Sequence, residues 1–90
     1  MDNEIIKKKA EDFAKKIIEA NEEEKYRITK IGESNKYYML VLDSEKISDG
    51  IEKPEIVVNK ETGELFAGSC LTIVDNFKDL NYGDFTFKNY

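Results

Sequence analysis

The 90-residue sequence has no histidine, no tryptophan, a single cysteine and a single proline. Each shortage narrows the chemistry. Without histidine there is no imidazole for the usual zinc sites or for a Ser-His or Cys-His nucleophile pair, and the commonest general base is missing. With Cys70 alone no disulfide can form within the chain, and the residue reads as a reduced thiol in the cytoplasm. No apolar run approaches the roughly 20 residues of a membrane span, and the first residues lack the apolar stretch of a signal peptide. Basic residues are the minority, 14 Lys and Arg against 19 Asp and Glu, for a net charge of -5. Direct nucleic-acid binding is thereby disfavoured, because phosphate recognition needs a basic surface. The acid excess suits a basic protein partner, or solubility alone. No metal or cofactor motif is present and none is expected.

At this length a single domain, 1–90, with one modest core is expected. Its least ambiguous stretch is Glu55 to Gly68. Ile56, Val57 and Val58 form a β-branched run, Asn59 favours a turn, and Gly63 supplies the positive φ that four-residue hairpin loops commonly need. A loop over Lys60 to Gly63 sets Asn59 against Glu64, Val58 against Leu65, Val57 against Phe66 and Ile56 against Ala67. One face then carries Ile56, Val58, Leu65 and Ala67 and reads as core. The other carries Glu55, Val57, Asn59, Glu64 and Phe66 and reads as mixed.

Upstream, Ile6, Ala10, Phe13, Ala14 and Ile17 recur at helical spacing, which predicts an amphipathic helix from about Glu4 to Asn21, capped by Asp2 or Asn3. The acidic run Glu22 to Glu24 reads as a solvated connector. Lys25 to Gly32 alternates and predicts a half-exposed strand. Lys36 to Asp43 contains the unbroken run Tyr37 to Leu42 and predicts a central strand buried on both faces. Asp43 to Pro54 reads as a connection with a turn at Asp49-Gly50 and with Ile47 and Ile51 pinning it to the core. Its carboxylates Asp43, Glu45 and Asp49 do not match a calcium loop, because Ile47 and Ser48 stand where an oxygen ligand and a glycine are needed. After the hairpin, Thr72 with Asp75 predicts the start of a short helix that places Ile73, Val74 and Phe77 on one face and ends near Asn81 to Asp84. The last residues, Phe85 to Tyr90, alternate aromatic and polar.

The expected fold is therefore α+β: an N-terminal amphipathic helix on a small antiparallel meander sheet of four strands, followed by a short C-terminal helix. Cys70 has no base to activate it, and no carboxylate pair has a context for acid–base work, so no catalytic residue is assigned. Tyrosines favour interfaces, since each joins a large apolar ring to a polar tip. They also cover thin sheets. The tail with Phe85 and Phe87 has two readings: an added strand on its own sheet, or a strand pairing with another chain in a homo-oligomer.

The stretch Asp49 to Gly68, with Pro54-Glu-Ile-Val-Val-Asn59-Lys-Glu-Thr-Gly63-Glu at its centre, resembles the YrhB-type domain and the related immunity protein 35 family. Ser69 to Leu80 is similar to that family's closing helix. The chain departs from the pattern in lacking a tryptophan and in carrying Asn59 where the family favours aspartate. The resemblance implies an immunity protein that neutralises a bacterial toxin, or a relative without activity of its own. Composition and resemblance together point to a non-enzymatic inhibitor that occludes a basic partner, such as a toxin or nuclease. An acidic mimic of nucleic acid and an assembly domain using the aromatic tail are the other readings. The partner-binding residues expected are Val57, Asn59, Glu64 and Phe66 on the mixed hairpin face, Tyr37 and Tyr38 beside them, and Phe85 and Phe87 in the tail.

Overall fold

A computed structural model describes residues 2–45 and 53–90. Ile47, Ile51 and the Asp49-Gly50 turn lie outside the described residues. The chain begins with helix α1, Asn3–Ala20. The Asp2 side chain accepts the Glu4 amide at 2.8 Å and satisfies one of the free N–H groups of the first turn. At the other end Asn21 closes the helix, its amide and its side chain both donating to the Ile17 carbonyl. The acidic connector makes one 3-10 turn, Glu22–Glu24, and Lys25 then reverses the chain at φ 54.

Strands β1 (Arg27–Glu33), β2 (Tyr37–Asp43), β3 (Glu55–Asn59) and β4 (Leu65–Gly68) follow in the expected meander. Helix α2, Cys70–Asn76, and a 3-10 turn, Tyr82–Asp84, lead to a further strand β5, Thr86–Asn89. The sheet therefore has five strands, in the order β4-β3-β2-β1-β5, and every neighbouring pair is antiparallel. This corrects the expected four. The aromatic tail adds to its own sheet beside β1, with Phe87 opposite Gly32. The physical reason lies at Gly32, where a side chain would begin 2.5 Å from the Phe87 ring. Only glycine lets that ring lie down across β1.

The hairpin register agrees with the sequence pattern at every pair, from Val58 with Leu65 to Ile56 with Ala67. Asn59 accepts the Glu61 and Thr62 amides through its side chain, and Gly63 turns the chain at φ 75. Gly63 is also buried, and its carbonyl accepts the Lys9 ammonium. Gly63→Val should therefore destabilise by at least about 1–3 kcal/mol, the usual cost of a side chain held at positive φ. Chemical denaturation measures it, and an unchanged midpoint would contradict the turn.

Strand β2 is central, and its unbroken apolar run serves two cores. Tyr38, Leu40 and Leu42 face α1 together with Ile56 and Val58. Tyr37, Met39 and Val41 face the opposite side with Val57. On α1 the fully buried positions are Ile6, Ala10 and Ala14, while Phe13 and Ile17 pack at the margin. The two alanines bring the helix axis close to the sheet. In β1, Ile28 and Ile31 are three apart and would fall on opposite faces of a regular strand. A register shift between Ile28 and Lys30 turns both toward α1, opposite Leu42 and Leu40.

The second face is covered by α2 and the chain that follows it, as Ile73, Phe77 and Leu80 pack on Val57, Tyr37 and Met39. The helix starts earlier than expected. Ser69 is the N-cap and accepts the Thr72 amide, so Thr72 occupies the third helical position and not the cap. Val74 turns outward, 40% exposed, and does not share the buried face of Ile73 and Phe77. No helix among the described residues is long and apolar enough to cross a membrane.

Candidate functional site

The expected mixed face of the hairpin is not a free surface. Val57 is fully buried beneath α2, and Phe66 is half-buried with its ring edge-on to Phe77, 5.9 Å away. Tyr37 and Tyr38 are 4% and 1% exposed, one in each core. As folded, Val57 and Tyr38 offer nothing to a partner. The reason is that α2 crosses the sheet to reach β5, and its apolar stripe needs the face that would otherwise be open. Asn59 stands half-buried in its turn, and Glu64 is exposed beside it. Phe85 is half-buried and Phe87 is 39% exposed, in a ladder running from Tyr82 through Phe85 to Phe87 with centroids about 6 Å apart.

The groups that do converge lie at the end of the sheet where the β1–β2 and β3–β4 turns meet. A cleft of about 790 Å³ is lined there by Glu33 to Tyr37, Lys60, Asp79, Asn81, Asp84 and Thr86. Four separate segments build it. The β1–β2 turn is held by Ser34, whose hydroxyl accepts the Tyr37 amide and whose own amide donates to the Tyr37 carbonyl. The β3–β4 turn is tied to it by the Lys60 amide, which donates to the Lys36 carbonyl at 2.8 Å. The Tyr37 phenol donates to one oxygen of Asp79 at 2.5 Å, and Lys36 reaches the other at 2.9 Å. This fastens the segment after α2 over the turn.

The two cations of the cleft are already engaged. Lys60, with a side chain only 15% exposed, donates to Glu33 at 2.6 Å and to the Ser34 carbonyl at 2.7 Å. Its hydrogen bond holds the Glu33 carboxyl below the usual range, with Lys7 adding from the α1 side at 3.8 Å. The Tyr37 phenol and the Lys36 ammonium do the same for Asp79. Burial, and then Asp79, push the Tyr37 phenol up to about 12. Glu64 stands in the same cross-sheet row as Tyr37, beyond Asn59, and its charge and that of Glu61 push the phenol the same way. Asp84 makes no ion pair among the described residues. With both lysines spent, the cleft presents acceptor oxygens and net negative charge. It suits a cationic group.

Comparisons with protein-family models, curated proteins and solved structures find no match to this chain. The cleft is therefore read from its own chemistry. Of the residues that line the cleft, sequence reasoning reached Tyr37 and missed Glu33, Lys36, Lys60, Asp79 and Asp84, which come from separate segments of the chain and share no local pattern. A second polar group lies near Cys70, which is half-buried. There the Tyr82 phenol donates to Glu55 at 2.5 Å and is pushed far up, first by burial and then by that bond. Among the described residues no group of three or more carboxylates and thiols is arranged to hold a metal ion.

Proposed function

We propose that this chain is a non-enzymatic binding protein that receives a basic segment of a protein partner at the acidic cleft. The observation that carries the reading is the charge state of that cleft: Lys36 and Lys60 are neutralised from within, and Asp84 is left exposed, with exposed Glu64 in the cross-sheet row of Tyr37. An exposed carboxylate group of this kind steers a cationic partner and fixes its register more than it supplies affinity. The resemblance of Asp49 to Leu80 to toxin-immunity proteins gives the partner a class, a toxin or nuclease whose substrate groove is basic. Occluding that groove is the mode of inhibition.

The test uses a lysine-rich peptide and the full chain. Asp84→Asn with Glu64→Gln removes two exposed charges that make no ion pair among the described residues. Binding should weaken by roughly fivefold or more, at about 0.5–1 kcal/mol for each exposed pair lost. The affinity of the unaltered chain should also fall as salt rises, because exposed charges are screened over about 8 Å at physiological ionic strength. Equal affinity for the variant and the parent, measured by calorimetry, would remove the cleft as the contact.

A further inference from the structure

The outer edge of β5 is open. All four of its residues are exposed, and no other described strand pairs with it. Its hydrogen-bonding groups alternate between the sheet and solvent. The Tyr90 amide donates to the Thr29 carbonyl, and the register continues through Lys88 with Ile31 and Thr86 with Glu33. Backbone groups in an antiparallel ladder face one side at every second residue. Thr86, Lys88 and Tyr90 therefore bond inward, and Phe87 and Asn89 direct N–H and C=O outward. The Phe87 ring shares that exposure at 39%. An edge of this kind usually carries a bulge, a proline or a covering loop. Here the deterrents are the shortness of the strand, four residues, and Lys88.

We infer that β5 pairs antiparallel with β5 of a second copy of this chain, about a two-fold axis through Phe87. The choice of occupant follows from the strand's own pattern. A two-fold through Phe87 sets Phe87 against Phe87 as a hydrogen-bonded pair and joins the Asn89 amide to the Phe85 carbonyl on both sides. It places Lys88 opposite Thr86 rather than opposite itself. In the same cross-sheet row Thr86 is followed by Glu33 of its own chain, which Lys60 and Lys7 already hold, so the row sets no second lysine against Lys88 and the seam relies on backbone bonds and Phe87 rather than on an ion pair. A two-fold through Lys88 would instead oppose two lysines directly, which is destabilising. On the other face each Phe87 ring lies over Gly32 and stacks on Phe85, and its 39% exposure is the apolar surface left beside the seam. The paired aromatic rings and the backbone bonds act against the repulsion of two chains of net charge -5. The contact joins two five-stranded sheets edge to edge. It is small, so the dimer is a weak one that forms as concentration rises.

The experiment reads mass and register separately from the cleft, whose own test leaves β5 intact. In sedimentation velocity the full chain should move from monomer toward dimer with concentration. Asn89→Pro removes an outward N–H and no inward one, so it should abolish the dimer while the melting temperature stays close to that of the parent. Register is read by cross-linking in a Cys70→Ala background. Thr86→Cys and Lys88→Cys chains, mixed and oxidised, should form a disulfide-linked pair, because they would stand directly opposite each other at a distance a disulfide spans. Neither chain alone should cross-link. A Lys88→Cys chain that cross-links with itself would overturn the proposed axis. A chain that stays monomeric at every concentration, with no cross-link in the mixture, would overturn self-pairing and leave the edge to a strand of a different protein.

Discussion

Tyr38→Ala is expected to destabilise the domain by about 3–5 kcal/mol, the range for emptying a large aromatic site in a core. Tyr38 is 1% exposed, sits on the central strand, and is surrounded by Leu40, Ile56, Val58 and the α1 stripe. The Lys7 ammonium lies 5.8 Å from its ring centre and closes the site from above. A domain of this size has total stability on the order of 5–13 kcal/mol, so the substitution removes a large share of it. The same residue looks from sequence like a contact for a partner. The two roles separate cleanly. A buried Tyr38 predicts a large shift in the denaturation midpoint and no selective loss of binding under folding conditions. A contact residue predicts weakened binding with stability unchanged. A midpoint shift worth less than 1 kcal/mol would mean that α1 does not pack on this face.

Why the sequence led to an open face and the structure to a closed one is a matter of range. Local signals are strong where a few neighbouring residues decide the outcome. Asp2 caps α1, Gly63 needs positive φ, and the β3–β4 register follows from loop length alone. These features were legible. The helix stripe was legible too, although its centre proved to be Ile6, Ala10 and Ala14 with Phe13 at the margin. The second core was not. Its helix is only seven residues long and its stripe runs past the helix end to Leu80, so no periodic window captures it. Which face it covers depends on where the chain goes next. That destination is β5, on the far side of β1, and the one local hint of it is Gly32 in an otherwise half-apolar strand. Once β5 docks there, the chain between α2 and β5 must cross the Val57 face, and the apolar residues of that connection bury it. The acidic cleft shares this origin, since Asp79 and Asp84 belong to the crossing segment.

Alkaline titration should unfold the protein between about pH 10 and pH 12. The Tyr37 and Tyr38 phenols are each pushed up to about 12 from an ordinary value of 10.0, with burial the leading cause for both. Next comes the Asp79 hydrogen bond for Tyr37, and the charges of Glu11 and Glu33 for Tyr38. The sign follows from linkage. Below pH 10 both states keep the phenols protonated, and the stability tied to them is fully present. Above pH 10 the unfolded chain loses these protons while the folded chain retains them, so the unfolded state gains with each step of pH. The loss is complete near pH 12. A difference of about two pH units corresponds to at most about 3 kcal/mol for Tyr38 and less for Tyr37, whose phenol opens on the cleft, on the order of 4 kcal/mol together. That sum rivals the lower end of the stability of a small domain. Denaturation followed at a series of pH values should therefore show a falling midpoint across this window. Tyr37→Phe should flatten the fall by about a third, because the remaining dependence belongs to Tyr38 and Tyr82. A phenolate signal lost on Tyr38→Phe at a pH where the circular dichroism of the parent is still native would show that this buried ring ionises in the folded state, and the packing of α1 on Tyr38 would have to be abandoned.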